Sequence, residues 1–110
     1  MGRGELLGSL EHIVLLALVR LHDNAYGMTV RREIEARTGR DLSIGAIYAT
    51  LTRLESKGLV ASHVGEPTAE RGGRAKRMFT LEAKGQEALR SSQEALRKMA
   101  SGLRARLETT

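Results

Sequence analysis

The sequence predicts a mainly α-helical fold with a single two-stranded β-hairpin. Three observations predict it. Apolar residues recur at helical spacing in successive segments before Gly58, and two strand-like runs flank a polar loop. The chain then returns to helical composition from about Glu82 to Glu108. At 110 residues the length fits one domain with room for an appended helix. An aromatic content of 3% leaves Leu, Ile, Val, Ala and Met to build the core, which suits helices.

Taken in order, MGRGELLG contains three glycines and is expected to be loose. Ser9 is the expected N-cap of a first helix, with Glu11 in its first turn, where the helix dipole favours an acid. Leu10, Ile13, Val14, Ala17, Leu18 and Leu21 form its stripe, and Leu15, Leu16 and Val19 broaden it. The HDNAYG turn ends this helix. A second helix runs from about Tyr26 or Gly27 to Arg37, with Val30 and Ile34 inward and Gly39 closing it. Ser43 is the expected N-cap of a third, in which Ile44, Ile47, Leu51 and Leu54 share a face and Gly58 is the stop.

LVASHV (Leu59–Val64) and AKRMFTL (Ala75–Leu81) have strand-like composition. GEPTAERGGR between them holds the only Pro and three glycines, and is long enough to project. In the last helix Leu89, Leu96, Met99, Leu103 and Leu107 fall at spacings of 7, 3, 4 and 4, with Ser92 at the missing step. That is a narrow seam of the kind that meets another helix. The expected division is residues 1–81 as one unit and 82–110 as the other.

Two helices joined by a short Gly-containing turn form a candidate helix-turn-helix, whose second helix enters a DNA major groove by its N-terminal end. A hairpin directly after it makes the unit winged. The first turn, Ser43-Ile44-Gly45-Ala46, is small enough to approach a backbone or base edge closely; alternatively, Gly45 simply permits close packing. Tyr48, Thr52 and Lys57 fall off the apolar stripe and face outward. Arg53 flanks the stripe, so its charge can reach either solvent or an acid in the domain. Tyr48 serves as a rim aromatic, as a hydroxyl donor to phosphate, or as both. Arg71, Arg74, Lys76 and Arg77 surround a Gly-Gly bend with no acid inside it, as expected of a wing that neutralises phosphates. Strand alternation sends Lys76, Met78 and Thr80 to one face, and Arg77, Phe79 and Leu81 to the core side.

Charge agrees with this reading. The formal net charge is +5 and the pI about 10, which suits a polyanion such as nucleic acid or an anionic membrane surface. The longest apolar run, Ile13–Val19, is seven residues, far short of a bilayer span, and no signal-peptide pattern follows Arg3. A cytoplasmic location is therefore expected. The last helix lacks the bulky aromatic face of a membrane-surface helix. No cysteine is present, and His12, His22 and His63 lack metal-ligand spacing. No phosphate-loop or nucleophile-elbow motif occurs, so neither catalysis nor a cofactor is expected. The alternative reading is a sensor whose dimer seam and methionines line a pocket for a small apolar effector.

These residues together resemble the PadR family of transcriptional regulators, in a short form with one C-terminal helix. Tyr26-Gly27 is similar to the Tyr-Gly that opens the family's second helix. Gly45-Ala46-Ile47-Tyr48, with Leu51, Arg53-Leu54-Glu55 and Gly58-Leu59, resembles its recognition-helix motif. Arg71 to Arg77, then Thr80-Leu81 and Gly85, resembles its basic wing and the entry to its last helix. The match spans roughly residues 9 to 90. It departs where the family often has Pro, near Ile44 and at Ala49, and where Met78-Phe79 replace a Tyr-Tyr pair. A phosphate contact through a tyrosine hydroxyl therefore carries over to Tyr48 and not to Met78. The resemblance implies a dimeric repressor of double-stranded operator DNA, often one controlling efflux or stress genes. The exposed leucine seam independently argues for a homodimer matched to a partly palindromic site.

Overall fold

The computed structural model describes residues 6–65 and 75–108. Helix α1 (Ser9–Leu21) passes through a short 3₁₀ turn at His22–Asn24 into α2 (Gly27–Thr38), and α3 (Ile44–Ser56) follows. Strands β1 (Val60–Val64) and β2 (Arg77–Leu81) pair antiparallel, and α4 (Ala83–Ala100) and α5 (Arg104–Glu108) complete the chain.

Helix α1 is the centre of the core. Val14 and Leu15 are fully buried on it and meet Val30 and Ile34 of α2, Ile47, Leu51 and Leu54 of α3, and Phe79 of β2. Most inward positions read from spacing are buried. Leu16 and Val19, expected to broaden the α1 face, and Ile44, expected on the inner face of α3, are exposed; Ile44 sits in the first turn of α3, beyond the reach of the core. Gly8, one residue before the expected cap, is the N-cap of α1. The reason is Glu11, whose Oε1 accepts from the Gly8 amide at 3.3 Å and so satisfies the first free N–H of the helix. The segment before it is also tied down where it is described. The Leu7 amide donates to Ser92 Oγ at 3.0 Å, and Leu7 packs against the core.

The C-terminal segment differs from the single expected helix. It breaks after Ala100, Gly102 takes a φ of 81°, and α5 starts only at Arg104. Gly102 is where the chain can adopt that left-handed turn without Cβ strain. Leu96 and Met99 therefore lie on α4, while Leu103 stands in the break and Leu107 on α5. The seam is divided at its start as well. Leu89 is only 7% exposed within the shared core, and Ser92, which receives the Leu7 amide, is buried too. His12 Nε2 and Gln93 Oε1 lie 2.7 Å apart, closing the α1–α4 contact. Leu89, assigned to the dimer seam although the helix was expected to touch the first helix near it, is thus a residue of the domain's own core.

The hairpin register pairs Val60 with Leu81 and Val64 with Arg77. Strand β2 also joins a third segment, which composition did not announce. Tyr26 forms a β-bridge with Met78, and the Phe79 amide donates to the Ala25 carbonyl at 2.8 Å. Strand β2 is thereby fixed to the residues that open α2. Gly85 seats α4 against the same hairpin, since a Cβ there would collide with the Leu59 carbonyl oxygen and lie 2.9 Å from Leu81 Cδ1.

Candidate nucleic-acid interface

The helix-turn-helix is α2, the turn Gly39–Ser43, and α3. Arg31 holds the turn: its Nε donates to the Leu42 carbonyl at 2.6 Å and its guanidinium reaches Asp41 at 2.8 Å. At the far end of the turn, Ser43 caps α3 by accepting the Ala46 amide at 3.0 Å. Helix α3 buries Ile47, Thr50, Leu51 and Leu54. Its exposed side carries Ile44, Gly45, Tyr48, Ala49 and Thr52, with Ala46 at the edge. These positions follow i, i+1, i+4, i+5 and i+8, a single helical face. Gly45 is open to solvent rather than pressed on a neighbouring helix, since a Cβ there would meet nothing nearer than Ser43 Oγ at 4.0 Å.

Tyr48 is a rim aromatic. Its ring is tilted against Phe79 with centroids 6.4 Å apart, and the residue is still 38% exposed. The ring lies across the start of α2, where a Cβ on Gly27 would stand 2.6 Å from the Tyr48 hydroxyl oxygen. Glycine is needed at position 27 for this close approach. Gly27→Ala is expected to cost about 1–3 kcal/mol in urea unfolding and to turn the Tyr48 ring outward. A tyrosine fluorescence spectrum unchanged from the parent would count against that displacement.

Tyr26 is a residue that sequence reasoning recorded only as part of a motif. Its ring lies beneath Lys76, with Nζ 5.2 Å from the centroid, a cation–π distance. Adjacent residues Tyr26 and Gly27 therefore gather the wing lysine and the α3 tyrosine around one helix start. The Tyr-Gly pair was the signal.

The other expected cations divide. Arg77 is exposed and lies 3.9 Å from Glu55, which also accepts the Ser62 hydroxyl at 2.7 Å. These contacts tie the hairpin to α3. Arg53, assigned to the interface but also within reach of an acid of the domain, is half exposed with its Nε 3.4 Å from Glu11 Oε2. Lys57 Nζ meets the same oxygen at 2.9 Å. Glu11 is buried on α1, and a buried carboxylate needs such partners. Arg71 and Arg74 lie outside the described residues. No group of three or more His, Asp or Glu side chains suited to a metal ion occurs among the described residues. No helix among them is long and apolar enough to cross a membrane.

The model of the family described as "Transcriptional regulator PadR-like family" matches residues 15–91, most of the chain. The chain belongs to that family. Among solved structures it is similar to a PadR family transcription regulator from hypervirulent Clostridium difficile, at 22% identity and a TM-score of 0.75, covering 91% of this chain and 99% of that one. It is similar to a PadR-like transcriptional regulator from Bacillus cereus at 21% identity and a TM-score of 0.69, covering 92% of each chain. It also shares its fold with a winged-helix DNA-binding protein from STIV, at 18% identity and a TM-score of 0.70, over 89% of this chain and 98% of that one. No curated protein sequence matches it. The protein is thus a transcriptional regulator of the PadR-like family with a winged-helix fold, and not an enzyme.

In this PadR-family chain Glu11 links α1 to the end of α3. Burial opposes ionisation of Glu11, but the Lys57 ammonium, the Gly8 amide and the Arg53 guanidinium outweigh it and hold the carboxyl below its ordinary range. A folded-state value lowered in this way stabilises the protein above the unfolded carboxylate value, and that contribution disappears as pH falls through the folded value. Glu11→Gln should therefore be less stable than the parent near neutrality. The gap should close in denaturant unfolding as pH falls below about 5 and through the lowered folded value. A gap that stays constant over that window would rule out the charged network as its source.

Proposed function

We propose that this regulator is a cytoplasmic homodimeric repressor that binds partly palindromic operator DNA. Residues 1–81 act as the DNA-binding unit and 82–110 as the assembly unit. The observation that carries the reading is the outward face of α3, small at its first turn, beside a hairpin whose Lys76 lies over the Tyr26 ring and whose Arg77 lies 3.9 Å from Glu55. Ser43, Gly45 and Ala46 bring the start of α3 to the major groove, where Tyr48 and Thr52 contact phosphate or base. Arg71, Arg74, Lys76 and Arg77 neutralise the backbone, a source of affinity that carries no sequence information. Arg53 belongs to this set only if phosphate draws it from Glu11. Fluorescence titration of labelled duplexes from a random-pool selection, at several salt concentrations, tests the proposal. Binding that steepens as salt is lowered is expected; none at low salt would sink it.

Assembly rests on exposed apolar side chains. Leu96 is 51% and Met99 78% exposed, followed by Leu103 and Leu107. A two-fold dimer would cover them and set two α3 helices at half-site spacing. The sensor reading has one observation in its favour. A cavity of about 600 Å³ opens between the end of α1, the hairpin and the start of α4, with Leu18, Phe79 and Leu81 among its lining. That volume suits a small ligand. An apolar compound that raises the melting temperature and releases DNA would establish this second reading.

A further inference from the structure

We infer that α3 selects its duplexes through thymine methyl groups and groove shape rather than through paired hydrogen bonds to base edges. This rests on the DNA-binding reading above. The side chains that match a base edge with two hydrogen bonds in the major groove are chiefly Arg, Lys, Asn and Gln, with Asp and Glu as acceptors from cytosine. Within Ile44–Ser56 the sequence offers two of these, Arg53 and Glu55. Both are engaged elsewhere. Arg53 faces Glu11 at 3.4 Å and donates to Thr50 Oγ1 at 3.4 Å, while Glu55 accepts from Ser62 at 2.7 Å and faces Arg77 at 3.9 Å. Lys57, just past the helix, is held by Glu11 at 2.9 Å.

The face left to enter a groove is Ile44, Gly45, Tyr48, Ala49 and Thr52, all exposed. Its reading groups are methyls on Ile44, Ala49 and Thr52, and single hydroxyls on Tyr48 and Thr52. A lone hydroxyl donates or accepts and so separates bases poorly. A methyl finds one apolar partner in the major groove, the C5-methyl of thymine. Gly45 and Ala49 keep the helix surface low there, so those methyls can approach it. Discrimination beyond these contacts then comes from how well the duplex fits the space between α3 and the hairpin.

The experiment uses the full chain and the tightest duplex from the random-pool selection. Each thymine is replaced in turn by deoxyuridine, which lacks the methyl, and each guanine by 7-deazaguanine, which lacks the N7 acceptor. Deoxyuridine should weaken binding about fourfold at one or two positions per half-site, the value of one buried methyl. Ala49→Gly should abolish the penalty at one of them while leaving the melting transition cooperative. No 7-deazaguanine under α3 should match that loss. Tight binding indifferent to every deoxyuridine, or a dominant 7-deazaguanine effect under α3, would overturn this inference and leave the DNA-binding reading intact. A chain that binds no duplex overturns both.

Discussion

Arg74→Ala combined with Lys76→Ala is expected to weaken binding to every duplex by a similar factor. If each cation neutralises one phosphate, each contributes about 0.9 to the slope of log affinity against log salt. Losing both lowers the slope by about 1.8, equivalent to roughly thirtyfold in affinity at about 0.15 M salt. The ranking of duplexes should stay as it was, because phosphate contacts position the protein without reading sequence. Titrations of the parent and the double variant at four salt concentrations check both statements. An unchanged slope would remove these residues from the interface. Lys76 carries the more informative half, because its ammonium lies 5.2 Å over the Tyr26 ring. Tyr26→Leu keeps the charge and removes its support, so it should reduce affinity less than Lys76→Ala and leave the slope close to that of the parent.

The second large effect concerns assembly. Leu96→Glu with Met99→Glu should give a folded monomer, because both side chains are exposed in the single chain, at 51% and 78%. In a two-fold dimer each substitution counts twice. Four apolar side chains at about 1.5 kcal/mol each raise the dissociation constant by more than about 1000-fold. Leu89→Glu, on the same helix, should behave differently. It buries a charge in the domain's own core and should lower stability by about 3 kcal/mol or more. Sedimentation equilibrium paired with thermal unfolding separates the two outcomes. An unchanged dimer in the double variant would place the interface elsewhere.

The contrast between Leu89 and Met99 shows how far spacing can be read. A heptad-like stripe says which residues share a face, and it cannot say where along the helix that face leaves its own domain. The transition lies between Gln93, held by His12, and Leu96. The helix break was also hidden, because Ser101-Gly102 sits in a segment whose remaining composition is helical. The elements themselves were legible because local chemistry and burial agree. Ser43 caps α3 as expected, and Val30, Ile34, Ile47, Leu51 and Leu54 are inside. Within the candidate site, Gly45, Tyr48 and Thr52 emerge on the outer face as predicted. Arg53 is half exposed and reaches an acid, one of the two outcomes its position allowed. Which acid was not legible, because Glu11 lies 42 positions away in sequence and becomes its neighbour only when α1 packs on α3. Tyr26 was missed as a platform for the same reason: its lysine arrives from the hairpin.

The bridge between Tyr26 and Met78 bears on more than strand pairing. With the Phe79 amide bonded to Ala25, and Arg77 and Ser62 both facing Glu55, the hairpin is braced from the segment that opens α2 and from α3. The distance from Tyr48 to Lys76 is then a dimension of the folded protein, set before DNA arrives. On the proposed reading the protomer works as a caliper: a duplex whose grooves already match that gap is held without distortion, and one that does not match must bend to fit.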